Sequence, residues 1–260
     1  MEVVVLLSAL FATFMGAICG NGGGVIIKPV MDALLNLNAS SISFTSSFTV
    51  FVMTITSLLR SRHSSIKIDK GRAIPLAIGG AIGGVLGSAL FSLISSSFDS
   101  ALVSLSQNIT LVILTIAVFI FTLFKAHIKM LNVSNKLLTF IIGLLLGLIS
   151  AFLGIGGGPI NIIVLVFFFS MDSKNASLNS LFIIFFAQLT NLLSSVISRG
   201  LPELNYLFLL CMIITAVVGA TLGRKVSDKI SNRGVDVLFL LLMCVIIAIC
   251  LINIFKFAAL

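Results

Sequence analysis

The sequence predicts an all-α integral membrane protein of two homologous halves. The halves are expected to be inverted repeats, each with a Gly-rich broken helix or hairpin followed by three membrane helices. Three observations carry this prediction. The chain is 59% hydrophobic and 9% charged, whereas soluble proteins have roughly 25% charged residues. An almost identical glycine cluster interrupts two of its long apolar runs, and most of its basic residues gather in three short loops.

The apolar runs give the membrane elements in chain order. Most of them have the roughly 17–25 residues that an α-helix needs to cross a bilayer. The first and the fifth are too long for one straight span, and each contains a glycine cluster. The first is predicted to be a retained membrane segment, because it lacks the basic start of a signal peptide. The runs lie near residues 2–31, 39–59, 73–95, 101–124, 137–170, 177–198, 204–223 and 235–259.

The glycine clusters belong to a repeat of the whole chain. Gly20-Asn21-Gly22-Gly23-Gly24 recurs as Gly154-Ile155-Gly156-Gly157-Gly158, and Asn38-Ala39-Ser40 recurs as Asn175-Ala176-Ser177. The displacement stays between 131 and 137 residues throughout, which indicates duplication of one unit. We therefore predict a first membrane repeat over 1–130 and a second over 131–260, together forming one transmembrane domain.

The basic loops test the topology of the two halves. Twelve of the 16 Lys and Arg lie in loops 60–72, 125–136 and 224–233, which is the pattern of cytoplasmic loops, not of a nucleic-acid-binding face. Eight simple spans would place loop 224–233 outside. If each glycine cluster is a hairpin turn, all three loops become cytoplasmic and the second half is inverted. A parallel duplication is the alternative, and the hairpin arms either span fully or form re-entrant loops.

Opposed hairpins would bring the two glycine turns together near the membrane midplane. Their N–H groups beside a helix N-terminus would form a positive concave site that fits a small oxyanion without a buried positive charge. No Lys or Arg lies clearly inside a span and no embedded carboxylate is apparent, since Lys28 and Asp32 are expected at the membrane surface. The alternative is that these glycines only permit close helix packing, as we predict for Gly79, Gly83 and Gly87.

Neutral polar residues of the following helices extend the predicted site. Gln188 and Asn191 are expected to line a cavity, because unpaired amides are costly in lipid. Ser and Thr hydroxyls more commonly bond to their own helix or to a neighbour. No catalytic residue, metal ligand or cofactor is predicted, since no enzyme motif or Cys/His cluster is present. The predicted substrate-binding residues are Asn21, Gly22, Gly23, Gly24, Gly156, Gly157, Gly158, Pro159, Gln188, Asn191, Thr54 and Ser47.

The paired clusters, with the length and hydropathy of the chain, resemble the TauE/SafE family of sulfite exporters. The resemblance covers essentially the whole chain and rests on Gly20-Asn21-Gly22-Gly23-Gly24 and Gly154-Ile155-Gly156-Gly157-Gly158-Pro159. It implies a multi-pass protein of the bacterial plasma (inner) membrane that moves sulfite, sulfonates or related sulfur-containing or organic anions. Substrates vary in this family, so the resemblance leaves open the anion and the direction of transport.

Residues and resemblance together predict a carrier whose partners are a small anion and the lipid bilayer. A homo-oligomer is compatible with the sequence, and nucleic acid is not an expected partner. The main alternative is a channel for ions or small solutes, which would need a continuous wet pore where facing glycine turns predict a constriction. A membrane enzyme is disfavoured, because the sequence shows no pairing of a nucleophile with a base.

Overall fold

The computed structural model describes residues 1–35, 37–63, 66, 68–98, 100–153, 155, 157–202 and 205–258. Within these ranges the chain forms ten α-helices and two short 3₁₀ turns. The α-helices are α1 (Glu2–Cys19), α2 (Gly24–Leu34), α3 (Ala39–Arg60), α4 (Lys70–Ser97), α5 (Ser100–Phe124), α6 (Lys136–Leu153), α7 (Pro159–Phe169), α8 (Ser173–Arg199), α9 (Tyr206–Lys229) and α10 (Asn232–Ala258).

Eight of these helices are long and apolar enough to cross a membrane. The other two, α2 and α7, have 11 residues each, which is short of the length that a bilayer requires. Each short helix follows a helix of 18 residues, α1 or α6, and precedes three long helices. The chain is therefore a multi-pass α-helical membrane protein, as the sequence predicts.

Several of the long helices have a polar N-cap residue whose side chain accepts a hydrogen bond from the first turn. The Asn38 carboxamide accepts a hydrogen bond from Ser41 N at the start of α3, and Asp172 accepts one from Asn175 N at the start of α8. These caps satisfy amides that an α-helix leaves unpaired in its first turn. They fix where the chain leaves each connection and enters the next helix.

Glycines allow two pairs of helices to pack at close range. A Cβ on Gly83 of α4 would collide with the main chain of Leu144 in α6, and a Cβ on Gly219 of α9 would lie 2.8 Å from Leu10 O in α1. Gly79 and Gly87 meet α6 in the same way, so the packing role predicted for these glycines is confirmed. Along each pair the contacts advance in the same chain direction, so α4 lies parallel to α6 and α1 parallel to α9.

Contacts between helix ends define two ends of the bundle. At the basic end, defined by Arg72, Lys125 and Lys174, Arg72 Nη1 donates to Phe169 O at 2.7 Å and Lys125 pairs with Asp236. The short helix α7 therefore ends there. At the opposite end, defined by Asp32, Ala33 and Lys256, Lys256 Nζ donates to Ala33 O at 2.9 Å. The short helix α2 ends at this opposite end.

Candidate functional site

The first glycine cluster turns the chain back beside α1. Gly20, Gly22 and Gly23 have φ values of 78°, 82° and 72°, a left-handed backbone that glycine adopts without steric cost. A Cβ on Gly23 would lie 2.8 Å from Ala12 O in α1. The chain after the turn therefore packs directly against α1. Among the described hydrogen bonds, none uses the amides of Gly22, Gly23 or Gly24.

Two serines of α8 bind the end of α1. Ser177 Oγ donates to Ile18 O at 2.8 Å, and Ser180 Oγ donates to Gly20 O at 2.5 Å. Carbonyls at a helix C-terminus have no partner within the helix, so these hydroxyls compensate for the break. The first glycine turn is thereby fixed to the helix that carries Gln188 and Asn191.

The second glycine cluster is described at Ile155, Gly157 and Gly158, while Gly154 and the predicted site residue Gly156 lie outside the described residues. Gly157 has φ 103°, and a Cβ there would collide with the side chain of Ile184 in α8. The following helix, α7, begins at Pro159, a position where the missing amide proton of proline costs no hydrogen bond.

The two clusters meet inside the bundle. A Cβ on Gly24 would collide with the carbonyl of Ile155 and would lie 3.0 Å from Val50 of α3. A Cβ on Gly158 would lie 3.9 Å from Val25. We call the region formed by Gly24, Val25, Ile155 and Gly158 the break contact. It brings together the helix starts of α2 and α7, where the helix dipoles are positive.

Several buried polar atoms without a partner belong to residues within one helical turn of Gly24, Val50 or Ile184, which lie at the two glycine clusters. Asn21 is fully buried, and neither its Nδ2 nor its Oδ1 has a partner among the described residues. Gln188, 2% exposed, has an unpartnered Oε1. The sequence analysis missed Ser46, which is fully buried with an unpartnered Oγ and lies one turn before Val50. An unsatisfied buried polar group costs about 1–3 kcal/mol, so each of these atoms needs an explanation, and contact with a bound molecule is one candidate.

The other predicted side chains divide into two groups. Asn191 Nδ2 lies 3.5 Å from Ser47 Oγ, and both residues line a narrow polar cavity of about 30 Å³ between α3 and α8. This volume holds only one or two water molecules. Thr54 lies elsewhere on α3, and its Oγ1 donates to Phe51 O of its own helix at 2.7 Å. The structure therefore joins Ser47 to Asn191 and leaves Thr54 in a bond within its own helix.

Lys28 and Asp32, expected at the membrane surface, are instead buried inside the protein, Asp32 near the opposite end of the bundle. The two side chains are 3% and 4% exposed and form an ion pair of 2.9 Å. Lys28 Nζ also donates to Gln107 Oε1 at 3.0 Å, and Gln107 Nε2 donates to Phe152 O at 2.7 Å. The i,i+4 spacing of Lys28 and Asp32 indicates in the sequence that the two can form an ion pair. Their burial depends on α10, which packs against α2, and on Gln107 of α5, which binds Lys28.

The amides of α5 and α10 extend this buried network. Asn253 Nδ2 donates to Pro29 O at 3.0 Å and to Asn108 Oδ1 at 3.3 Å. Lys256 Nζ donates to the carbonyl oxygens of Asp32 and Ala33 at the end of α2. The short helix is thus held on one side by polar groups, in a part of the bundle that the hydropathy pattern predicts to be apolar.

Arg224 of α9 is a second buried cation that the sequence analysis missed. It is 1% exposed, its Nε has no partner among the described residues, and its Nη1 lies 3.4 Å from Ala17 O in α1. It borders a cavity of about 460 Å³ at the basic end, together with Arg60, Lys225 and Asp228. The expectation of no Lys or Arg within a span is therefore wrong for Arg224, which lies in α9 close to the end of α1. The other buried cation, Lys28, lies in the short helix α2 and is linked to the end of α6.

Comparisons with known proteins cover almost the whole chain. The model of the family described as sulfite exporter TauE/SafE matches residues 5–250. The chain is 22% identical over 266 residues to the "Probable membrane transporter protein YunE" of Bacillus subtilis (strain 168), covering 94% of this chain and 95% of that protein. No solved structure matches.

Proposed function

Because the chain belongs to the sulfite exporter TauE/SafE family of membrane transporters, we propose that it carries small anions across the bacterial plasma membrane. The substrate class is sulfite, a sulfonate or a related sulfur-containing or organic anion. The proposed site lies at the break contact. The observation that carries the proposal is the set of buried, unpartnered polar atoms of Asn21, three residues before α2, and Gln188, one turn after the Ile184 that meets Gly157. Such groups are suited to hold an oxyanion that has left water.

We propose that the two halves are inverted repeats with the basic end in the cytoplasm. Two observations support this arrangement. The parallel pair of α1 and α9 is matched by the parallel pair of α6 and α4, and the short helices α2 and α7 end at opposite ends of the bundle. A carrier built from opposed hairpins can alternate access around a fixed site between them.

In this proposal each group of residues has its own role. The amides of Gly22, Gly23 and Gly24 in the first cluster and of Gly157 and Gly158 in the second contribute N–H donors to the anion. Pro159 begins the helix whose dipole faces the anion. Asn21 and Gln188 contribute side-chain amides. Ser47 and Asn191 line the approach from the opposite end, and Thr54 contributes a weaker contact.

Two buried cations lie near the glycine clusters, each in an ion pair: Lys28 with Asp32 at 2.9 Å and Arg224 with Asp228 at 3.5 Å. Lys28 reaches Phe152 at the end of α6 through Gln107, and Arg224 touches Ala17 near the end of α1. A cation within a few ångströms of an anion is worth far more inside a protein than in water. The proposal therefore combines backbone donors with an ion-paired cation near each glycine cluster.

A thermal-shift screen of the purified protein tests this proposal. Sulfite, thiosulfate, methanesulfonate and acetate are added at increasing concentration, and a ligand that binds only the folded state raises the melting temperature. At least one sulfur oxyanion is expected to stabilise the wild-type protein, and Asn21→Ala and Gln188→Ala should lose that effect. Flux that saturates with concentration in proteoliposomes is expected for a carrier, whereas linear flux would favour the channel.

A further inference from the structure

The Lys28–Asp32 pair contains the one buried carboxylate among the carboxylates that the structure describes. Ionisable groups in a membrane interior are costly and are found where ions or protons move. Packing alone does not require such a pair, since apolar residues of similar volume are often as stable as a buried ion pair. The pair therefore needs a functional explanation, which the neutral donors of the break contact do not give.

The geometry connects this pair to the proposed anion site. Lys28 follows Gly24 by one helical turn on the same face of α2, and Gly24 touches Ile155 of the second cluster. Through Gln107, Lys28 is also linked to Phe152 at the end of α6. The Lys28 ammonium is thus linked through Gln107 to Phe152, three residues before Ile155 of the break contact. Asp32 lies two residues from the end of α2, near the opposite end of the bundle.

We propose that the Lys28–Asp32 pair is a proton-coupling site, an inference that rests on the proposed anion-carrier function. A proton from water at the opposite end binds a carboxylate oxygen of Asp32, which becomes a neutral acid. Lys28 keeps its own proton and is left with an uncompensated positive charge, linked through Gln107 to the end of α6 next to the second glycine cluster. A bound anion then compensates that charge. Proton and anion each favour the binding of the other, and a monoanion moves with one proton without net charge.

The groups around the Lys28–Asp32 pair are compatible with protonation of Asp32. From α10, Lys256 donates to the Asp32 carbonyl, and the buried thiol of Cys250 lies within electrostatic range of the pair. From α5 the pair meets the neutral amide of Gln107. The ionisable side chains of α1 and α3, which also pack against α2, stand only at the helix ends: Glu2, Cys19 and Arg60.

Linkage fixes the size of the expected effect. If anion binding takes up one proton, the affinity for the anion rises about tenfold for each unit by which the pH falls, within the range where Asp32 is ionised in the free protein. The probe is methanesulfonate, which stays ionised across the pH range, so the pH dependence belongs to the protein. Calorimetry in two buffers with different heats of ionisation counts the protons taken up directly.

The wild-type measurement tests the coupling without any substitution. Uptake approaching one proton per methanesulfonate bound supports the proposal, and uptake of zero at every pH overturns it. Absence of binding of methanesulfonate, sulfite, thiosulfate and acetate at every pH would instead overturn the anion-carrier function itself. The two failures are therefore distinguishable.

Substitutions assign the proton to Asp32. Asp32→Asn should bind methanesulfonate with an affinity that no longer depends on pH and that exceeds the wild-type affinity at high pH. An unpaired buried Lys28 can prevent folding, so the double variant Lys28→Gln/Asp32→Asn removes both charges. It should bind methanesulfonate at least tenfold more weakly than wild type at low pH, and its affinity should not depend on pH. The control Asp172→Asn keeps its helix cap and should match wild type. A wild-type pH dependence in either variant of the pair overturns the proposal.

Discussion

Replacing Asn21 by leucine should make the folded protein more stable while removing anion binding. The side chain is fully buried, and both of its polar atoms lack a partner among the described residues. Each unsatisfied atom costs about 1–3 kcal/mol of desolvation. Leucine has the same number of side-chain heavy atoms as asparagine and no polar atom, but its methyl groups need more room. Asn21→Leu should therefore raise the free energy of unfolding by about 1–3 kcal/mol after the cost of fitting these methyl groups is allowed for.

The loss of binding has a separate magnitude. One hydrogen bond to a charged ligand is worth about 1.5–3 kcal/mol, which is roughly a 10- to 150-fold change in affinity. Asn21→Leu should therefore need at least tenfold more sulfite or methanesulfonate for the same rise in melting temperature. Stability and binding are expected to change in opposite directions, which a packing defect cannot produce.

Asn179 provides a matched control for Asn21. It is equally buried, but its Nδ2 donates to Asn175 O at 2.8 Å and its Oδ1 accepts from Asp69 N at 3.1 Å. Asn179→Leu should lower the melting temperature, by roughly 2–4 °C for each kcal/mol in a protein of this size, and leave anion binding unchanged. Equal destabilisation of the two variants, with anion stabilisation retained in Asn21→Leu, would refute the reasoning.

Three further predictions concern topology, backbone and side chains. On a cysteine-free background, Ser231→Cys should react only with reagent on the cytoplasmic side; reaction from outside would contradict the inverted arrangement. Gly24→Ala should abolish transport because its Cβ meets the Ile155 carbonyl, whereas Gly71→Ala, whose nearest atom is 3.4 Å away, should transport normally. Asn191→Ala should weaken anion binding more than Thr54→Ala, since the Thr54 hydroxyl already bonds within its own helix; equal effects on affinity would assign both residues to packing.

The sequence was sufficient to predict a membrane protein, because the thickness of the bilayer sets both the length of an apolar run and the length of the helix that it forms. The predicted packing glycines were also accessible, since a G-x-x-x-G spacing directly encodes close approach of two helices. For Gly83 and Gly219 the structure shows the main chain that each glycine meets. Such features depend on local spacing, which a single sequence displays.

The buried charges could not be placed in this way. Burial of Lys28 and Asp32 depends on Gln107 of α5 and Asn253 of α10, which are distant in sequence. A hydropathy window shows only where an apolar run ends, so charged residues near such an end are assigned to the membrane surface. Arg224 was assigned to a basic loop for the same reason, although α9 continues through Lys229 and carries it into the bundle.

The two halves differ most where charge is buried, and this difference bears on the direction of transport. The displacement that aligns Gly24 with Gly158 places Ile162 opposite Lys28 and Val166 opposite Asp32. If the halves are inverted repeats, the backbone offers the same pathway from either side of the membrane. A proton can then act from only one side, because α2 carries a carboxylate and the corresponding helix α7 does not. Ile162→Lys with Val166→Asp would install a second pair near the basic end. If this variant folds, its anion binding should take up protons from both sides, and uptake from one side alone would contradict the argument.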